Sequence, residues 1–404
     1  MDRPGSRRRL ALAGLAAIIL LAGCHNGSSS PQPDAGASTA PSDRTSSASA
    51  SPAPRASATP VGLPGMPPLL NPKDAYAADR PGRLSPVVQA DKRLVYVPNS
   101  GSNTVDVIDQ RTYKIIDHFS VGREPQHVVP AYDLTTLYVN EDNSSSLTPI
   151  DPRTGRRTGK HISVPDPYNL YFTPDGKYAM VMAEARREII FADPHTFAVK
   201  HVLHVPGCAG VNHADFSLDG RYFIATCEFN GSLIKVDTQR QRLVGTLRLG
   251  AHYMPQDIKV APDGSVWYVA DMIAGGTWLI DGKTFRKIGF VRTGRGAHGL
   301  YPSRDSKTLY VSNRNAGSIS LIDFGTRAVR KTWHIPGGGS PDMGGINAAG
   351  TVLWLSGRYN SVVYAIRTSD GHLLAKIPVG FQPHGLCVWP QPGRYSLGHT
   401  GILR

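Results

Sequence analysis

Histidines and aspartates recur at two adjacent positions that are separated along the chain by multiples of 42 to 44 residues. In chain order, the residues at the first position are His127, Asn169, His213, Asp257, Gly299, Met343 and Gly385. The residues at the preceding position are Gln126, Tyr168, Asn212, Gln256, His298, Asp342 and His384. Neutral imidazoles and carboxylates bind transition metals, and imidazoles also ligate haem iron. A fold that brings these positions together would create a candidate ligand or metal site at His127, His213, Asp257, His298, Asp342 and His384.

A second pattern with the same spacing indicates which elements would position those residues. Short β-rich segments end in an aspartate, and the aspartates are 42, 42, 44, 44 and 42 residues apart. They are Asp109, Asp151, Asp193, Asp237, Asp281 and Asp323. A further step of 44 residues reaches Arg367, so a seventh copy keeps the strand but lacks the acid. An independent landmark inside β-rich runs also occurs seven times, at Tyr96, Tyr138, Met180, Ile224, Tyr268, Tyr310 and Trp354.

Turn motifs divide each repeat into several short strands. Asp-Gly pairs at Asp175, Asp219 and Asp263 favour tight hairpins. A repeat in the low forties with about four strands per unit is typical of a β-propeller, in which twisted sheets pack around a central channel. We therefore predict an all-β, seven-bladed β-propeller over residues 69–390. In that fold the segments that begin the innermost strands meet at one mouth of the channel.

The end of the repeat array predicts how the ring closes. The segment 380–389 contains Pro383-His384-Gly385-Leu386, which matches Ala297-His298-Gly299-Leu300. We expect it to supply a strand that completes the first blade. An eighth blade is the alternative, but only 15 residues follow Trp389, which is too few for three more strands.

Several repeats resemble the YVTN β-propeller repeat family. Close matches are Val95-Tyr96-Val97-Pro98-Asn99 and Tyr310-Val311-Ser312-Asn313, and the resemblance covers roughly residues 85–390. The resemblance implies the fold but not one activity, because related propellers include surface-layer proteins, lactonases, cytochrome d1-like haem domains and quinoprotein-like subunits. It also offers a structural alternative for the histidines. Pro-x-His or Pro-His at the start of a blade is frequent in this repeat, where the imidazole can simply bond the backbone of the neighbouring blade.

The repeated aspartates are interpreted as turn residues. Several of them precede a threonine by three positions, in pairs such as Asp109 and Thr112, Asp151 and Thr154, Asp193 and Thr196, and Asp281 and Thr284. A carboxylate in that position accepts backbone N–H groups and stabilises the turn. We therefore assign these acids to structure and name no catalytic residue.

The cysteines limit the redox and haem chemistry. The sequence has four, and no Cys-x-x-Cys-His motif occurs, which excludes a covalent c-type haem. Cys208 and Cys227 flank a predicted hairpin and are expected to form a disulfide, unless a register offset places their Cα atoms too far apart. Cys387 lies in an apolar strand and is expected to be buried.

The N-terminal segment predicts export and lipid attachment. Three arginines at 7–9 precede an apolar run that ends in Leu21-Ala22-Gly23-Cys24. This pattern is a signal peptide over residues 1–23 with a lipobox, so Cys24 is the predicted lipidation site. An uncleaved membrane helix is the weaker alternative, because the apolar run is shorter than the ~20 residues that cross a bilayer. Both the general secretory route and the twin-arginine route fit the arginines.

The composition of the segments on either side of the repeats predicts a propeller that is held on a flexible tether. Residues 24–68 are rich in Ser, Pro and Ala and are expected to form a disordered tether, while residues 391–404 would form a C-terminal tail. The formal charge is +13, but the basic residues are scattered, and export disfavours nucleic acid as a partner.

From these observations we expect a monomeric binding or scaffold protein at the outer face of a bacterial membrane. Its partner would be another exported protein or a cell-wall polymer. The cofactor is open, with a transition metal or a non-covalent haem as candidates. The alternative functions are a redox, metal or haem-associated propeller and a sugar-lactone hydrolase.

Overall fold

The computed structural model describes residues 62–399 and 403–404. The signal peptide, Cys24 and the tether as far as residue 61 lie outside the described residues, so the expectations about them stay predictions. The described chain is an all-β, seven-bladed propeller, as predicted. None of its described helices is long and apolar enough to cross a membrane.

The strands are numbered in chain order, and each blade is an antiparallel sheet. The chain begins with the three outer strands of the first blade, which are β1 (Leu94–Asn99), β2 (Thr104–Asp109) and β3 (Ile115–Ser120). The second blade contains β4 (Pro125–Pro130), β5 (Leu137–Glu141), β6 (Ser146–Asp151), and two short outer pieces, β7 (Arg156–Arg157) and β8 (Ile162–Ser163). The third blade contains β9 (Asn169–Phe172), β10 (Ala179–Ala183), β11 (Glu188–Ala192) and β12 (Val199–His204).

The next four blades have four strands each. The fourth contains β13 (Val211–Phe216), β14 (Tyr222–Cys227), β15 (Ser232–Asp237) and β16 (Arg242–Arg248). The fifth contains β17 (Pro255–Val260), β18 (Val266–Asp271), β19 (Gly276–Asp281) and β20 (Arg286–Arg292). The sixth contains β21 (Ala297–Pro302), β22 (Thr308–Asn313), β23 (Ser318–Asp323) and β24 (Ala328–His334). The seventh contains β25 (Pro341–Ile346), β26 (Val352–Gly357), β27 (Val362–Arg367) and β28 (Leu373–Pro378).

The last strand closes the ring. β29 (Cys387–Trp389) pairs antiparallel with β1, with Leu94 opposite Trp389 and Tyr96 opposite Cys387. This arrangement confirms that the segment at 380–389 completes the first blade. Cys387 is buried, as expected, and burial raises the pKa of its thiol well above the ordinary value.

Burial falls from the axis to the rim. Innermost strands such as β13 and β17 are buried at every residue, whereas outermost strands such as β3 and β12 are exposed or half-buried along most of their length. The apolar cores lie between neighbouring blades, and Trp267, Ile224 and Ile258 form part of one such core. The innermost strands are thus enclosed on both faces, which fixes where their side chains point.

The turn aspartates have the role that the sequence predicts. Asp109 accepts the backbone N–H of Arg111 at 3.0 Å and that of Thr112 at 2.8 Å. Asp281 accepts the N–H of Thr284 at 2.6 Å and its hydroxyl at 2.9 Å. These carboxylates stabilise the outer turns of the blades.

Cys208 and Cys227 form a disulfide, with 4.9 Å between their Cα atoms. Cys227 ends β14, and its partner on β13 in the sheet is Val211. Cys208 lies three residues before Val211, in the loop that leads into β13. The loop folds back over the strand end, so the register offset does not separate the two cysteines.

Both ends of the described chain differ from the sequence-based boundaries. Leu63, placed in the tether, is buried, and its N–H donates to the carbonyl of Asp219 at 2.7 Å. The expected tail is also packed, because Leu397, His399 and Arg404 are almost fully buried. Composition and repeat spacing carry no signal for such segments, since a single well-placed apolar or charged side chain is enough to hold them.

Candidate functional site

The two predicted rings lie where the innermost strands begin, and bulges direct their side chains. In β13 the ladder is regular from Ala214 onward, but Asn212 and His213 fall in a register shift. β17, β21 and β25 shift at the equivalent pair, and β4 shifts at Gln126. A bulge leaves residues outside the regular pairing of the strands, and it changes the direction in which their side chains point. The same local irregularity therefore turns the candidate residues toward the axis in five blades.

The four predicted histidines meet at the axis. The ring centroids of His127 and His384 are 4.9 Å apart, those of His127 and His213 5.7 Å, those of His298 and His384 5.9 Å, and those of His213 and His298 6.2 Å. Each of the four is at most 2% exposed. Residues that are up to 257 positions apart in sequence thus form one buried imidazole cluster, which we call the axial cluster.

The axial cluster contains a fifth histidine that the sequence analysis missed. His399 belongs to the expected tail, and its ring lies 5.0 Å from that of His213 and 5.3 Å from that of His127. The backbone N–H of His399 donates to the carbonyl of Leu170. Gly398 permits this approach, because its φ is +91° and a Cβ there would lie 2.4 Å from the same carbonyl oxygen. His399 has no place in the repeat, so spacing gave no signal for it.

Hydrogen bonds fix the proton on two of these imidazoles. His127 Nδ1 lies 3.0 Å from the carbonyl oxygen of Tyr168, which can only accept, so Nδ1 carries the hydrogen and Nε2 keeps its lone pair. His298 Nδ1 lies 3.0 Å from Asp342 Oδ1, and the carboxylate favours the same tautomer. Such contacts are the usual outer partners of metal-ligating histidines.

Several buried polar atoms of the axial cluster have no hydrogen-bond partner among the described residues. They are His127 Nε2, His213 Nε2, His384 Nδ1 and Asp342 Oδ2. Buried polar groups are normally satisfied, so four such atoms in one place indicate a binding site. Two sets of three residues have ligand atoms within 4.8 Å of one another, namely His127 with His213 and His399, and His298 with Asp342 and His384.

Burial keeps the imidazoles neutral. It lowers the pKa of His127 and of His213 to about 3, and the neighbouring positive charges add to the effect. Burial and the charge of Arg314 hold the pKa of His298 well below its ordinary value. Neutral imidazoles keep a lone pair for a metal at physiological pH.

Asp342 and Asp257 have different surroundings. Burial raises the pKa of Asp342, while Arg314 offsets part of this by donating to Oδ1 from Nη2 at 2.6 Å and from Nε at 2.9 Å. Asp257 pairs with Lys259 at 2.8 Å and accepts the N–H groups of Ile258 and Leu300. Both carboxylates are therefore engaged by a cation, and Asp257 Oδ1 also lies 3.7 Å from Nε2 of His399.

A third ring of residues lies at the mouth of the channel, and the sequence analysis did not single it out. One residue directly follows the second strand of each blade, and the set is Ser100, Asp142, Glu184, Glu228, Met272, Arg314 and Arg358. In antiparallel sheets these ends lie beside the starts of the innermost strands, as in the pairing of Cys227 with Val211. Three acids thus form one side of the mouth and two arginines another.

The comparisons agree with the fold. In the part that the structure describes, the chain is an all-β propeller with a polar site on its axis. The sequence of residues 74–392 matches the YNCE-like beta-propeller family, and the chain belongs to that family. No curated protein sequence matches it.

Solved structures extend the similarity. Hydrazine synthase from Kuenenia stuttgartiensis is 18% identical with a TM-score of 0.60, over 72% of this chain and 97% of that one. The dihydro-heme d1 dehydrogenase NirN is 15% identical with a TM-score of 0.57, over 80% of this chain and 79% of that one. A putative 6-phosphogluconolactonase from Bacteroides uniformis is 17% identical with a TM-score of 0.57, over 73% of this chain and 99% of that one. At these identities the similarity shows the fold alone.

Proposed function

We propose that this protein is an exported, lipid-anchored propeller that binds one transition-metal ion in the axial cluster. The observation that carries the proposal is the set of His127, His213 and His399, whose ligand nitrogens lie within 4.8 Å of one another, together with the buried Nε2 atoms of His127 and His213 that have no hydrogen-bond partner among the described residues. Leaving a buried polar atom unsatisfied costs about 1–3 kcal/mol. A bound metal would satisfy these atoms together, which explains why the fold tolerates them.

The donor set favours certain metals. Imidazole suits zinc, copper, nickel and iron, whereas calcium and magnesium prefer oxygen ligands. Divalent copper binds nitrogen sites more tightly than the other first-row metals, so we expect the order Cu(II), then Zn(II), with Mg(II) not bound.

Non-covalent haem, the other cofactor considered, fits the axial cluster poorly. The imidazole rings are 4.9 to 6.2 Å apart between centroids. A haem macrocycle is wider than any of these gaps, so it could not lie among the rings without displacing strands that are fully buried. A single ion needs no such movement.

Hydrolysis is the second candidate, and one contact favours it. Asp342 orients His298 as a carboxylate orients a general base. A useful base has a pKa near the working pH, however, and burial with Arg314 keeps the pKa of His298 far lower. Metal ligation requires only the neutral form, so the same geometry supports ligation better than proton abstraction.

The location is proposed from the sequence. A lipobox at Cys24 supports anchoring by lipid, and the Ser/Pro/Ala-rich segment after it supports a flexible tether. An exported protein or a cell-wall polymer remains the proposed partner class. Cys24→Ala should release a folded propeller from the membrane fraction, and retention of this variant in the membrane would contradict the anchor.

Metal titration tests the proposed function. Wild-type protein, His127→Ala/His213→Ala and the control His252→Ala/His372→Ala, whose histidines are exposed, would be titrated with Cu(II), Zn(II) and Mg(II). We expect wild type and control to bind one Cu(II) or Zn(II), and the axial variant to lose at least about 100-fold in affinity. His127→Phe, which keeps the volume of the ring, guards against misfolding. Equal binding by all four proteins, or no binding by wild type, would contradict the proposal.

A further inference from the structure

We propose that the mouth of the channel holds a second site, in which Arg358 binds the carboxylate of a small organic anion and exposed aromatic rings hold its apolar part. This inference goes beyond the metal site and does not require that a metal be bound. It concerns the third ring of residues, on the arginine side of the mouth.

The two arginines of that ring are engaged very differently. Arg314 donates to Asp342 from two nitrogens, and its Nη1 contacts the hydroxyl of Tyr359 at 3.3 Å. The guanidinium of Arg358 has a single hydrogen bond to the described residues, a long one of 3.4 Å to Ser100 Oγ. None of the described carboxylates forms a salt bridge with it. Arg358 therefore keeps most of its planar donor set for a ligand.

The backbone places Arg358 directly over the axial cluster. Its N–H donates to the carbonyl of Ser340, two residues before Asp342. Its side chain reaches Ser100, whose hydroxyl donates to the carbonyl of Pro125, two residues before His127. The guanidinium thus bridges the seventh blade and the neighbouring first blade, next to the start of the second.

Two exposed aromatic side chains belong to the same part of the mouth as Arg358, and the ring of one of them, Tyr359, lies 5.6 Å from the guanidinium carbon of Arg314. Tyr359 directly follows Arg358 and is 59% exposed. Phe381 is also 59% exposed, and its carbonyl accepts the N–H of Gly101, the neighbour of Ser100. Exposed large apolar side chains beside a polar pocket mark a ligand surface. Their position here selects an anion that carries an apolar or aromatic group.

The acidic side of the mouth carries less negative charge than its three carboxyl groups suggest. Burial and the nearby Glu228 raise the pKa of Glu184 to about 9, so this carboxyl is protonated and neutral at physiological pH. Burial also raises the pKa of Glu228, while Arg314 and Arg358 offset part of that rise. A guanidinium matches a carboxylate in shape as well as in charge.

Benzoate is a suitable probe, because it combines a carboxylate with an aromatic ring. Benzamide has the same shape without the charge, and acetate has the charge without the ring. Calorimetric titrations would compare wild type, Arg358→Gln and the control Arg367→Gln, which alters an arginine in an exposed pair with Asp370 on the outer edge of a blade. Each protein would be tested as isolated and after loading with Zn(II).

We expect benzoate to bind wild type and Arg367→Gln equally and Arg358→Gln at least about tenfold more weakly, since a charge-assisted hydrogen bond contributes about 1.5–3 kcal/mol. Benzamide and acetate should both bind wild type more weakly than benzoate. Equal benzoate binding by wild type and Arg358→Gln, or equal binding of benzamide and benzoate, would overturn the inference. Metal content of the same samples is measured separately, so loss of the metal site and loss of the anion site are distinguishable.

Discussion

The outer turns and the axial cluster are built by the same repeat, yet their residues follow opposite rules. At the outer turns, one step along the repeat gives the same residue type, as Asp109, Asp151 and Asp193 show. At the axis, the same step changes the residue from His127 to Asn169 to His213. Repetition at the turns is what identical local structure requires. Variation at buried axial positions has no such cause, and it indicates a site that the whole ring assembles once.

The electrostatics of the two regions also differ. At the turns, hydrogen bonds from the N–H and hydroxyl of Thr284 lower the pKa of Asp281. At the axis, burial raises the pKa of Asp342 and of Asp257 despite their cationic partners. The turn carboxylates are partly exposed, so their ionisation costs little free energy. The buried axial carboxylates need specific cationic neighbours to be ionised. Substitutions should therefore have larger effects at the axis than at the turns.

The largest effect is expected from Asp342→Ala. Asp342 is fully buried and is the acceptor for two nitrogens of the buried Arg314. Removing one partner of a buried ion pair leaves an uncompensated charge and costs about 3–5 kcal/mol. Urea unfolding monitored by tryptophan fluorescence would measure it. A decrease in the free energy of unfolding of less than about 1 kcal/mol would show that substitutions at the axis cost no more stability than substitutions at the turns.

An intermediate effect that depends on pH is expected from Glu184→Gln. The folded-state pKa of Glu184 is about 9, compared with 4.5 for the unperturbed group, so folding favours its protonated form. That contribution to stability is fully present below about pH 4.5 and is lost as the pH rises through 9. The free energy of unfolding of Glu184→Gln should therefore increase relative to that of wild type as the pH rises from 5 to 9, by at least about 1 kcal/mol at pH 9.

Thermal unfolding of Glu184→Gln at several pH values, with the variant Glu188→Gln at the start of β11 as control, would measure this difference. A constant offset across the pH range would mean that Glu184 is ionised in the folded state. The acidic side of the mouth would then be charged, and the contrast with the turn carboxylates would weaken.

The smallest effect is expected at a turn. Asp109→Ala removes the acceptor for two backbone N–H groups that water can then reach, so we expect a loss of about 1 kcal/mol or less. Metal binding should be unchanged, which the same titration used for the histidine variants would show. A change in metal affinity would mean that the outer turns and the axis are coupled.

The sequence predicted the architecture because a propeller repeats its signals seven times. The strands, the closing strand at Cys387–Trp389 and the convergence of His127, His213, His298 and His384 all follow from one period. The bulges that aim these side chains have no sequence signal of their own. The ligand atoms also depend on tautomers, which are set by contacts such as that of His127 with the carbonyl of Tyr168.

The sequence analysis missed residues and contacts that do not follow the repeat. His399 lies outside the repeat, near a chain end that is held in place by Arg404, which donates to Asp215 and to the carbonyl of Phe216. Asp257 does approach the axial cluster, where its Oδ1 lies 3.7 Å from Nε2 of His399, but the spacing gave no signal for Lys259, which pairs with it. Arg358 shares the repeat spacing with Arg314, and only the structure shows that one is paired and the other is not.

X-ray absorption at the zinc edge of protein loaded with one equivalent of Zn(II) tests the central claim most directly. The axial cluster predicts a first shell of at least three imidazole nitrogens at about 2.0–2.1 Å. The multiple-scattering pattern of imidazole should be present in wild type and in His252→Ala/His372→Ala, and it should be lost in His127→Ala/His213→Ala. A first shell of oxygen atoms only, or the same spectrum in all three proteins, would contradict a metal site at the axis.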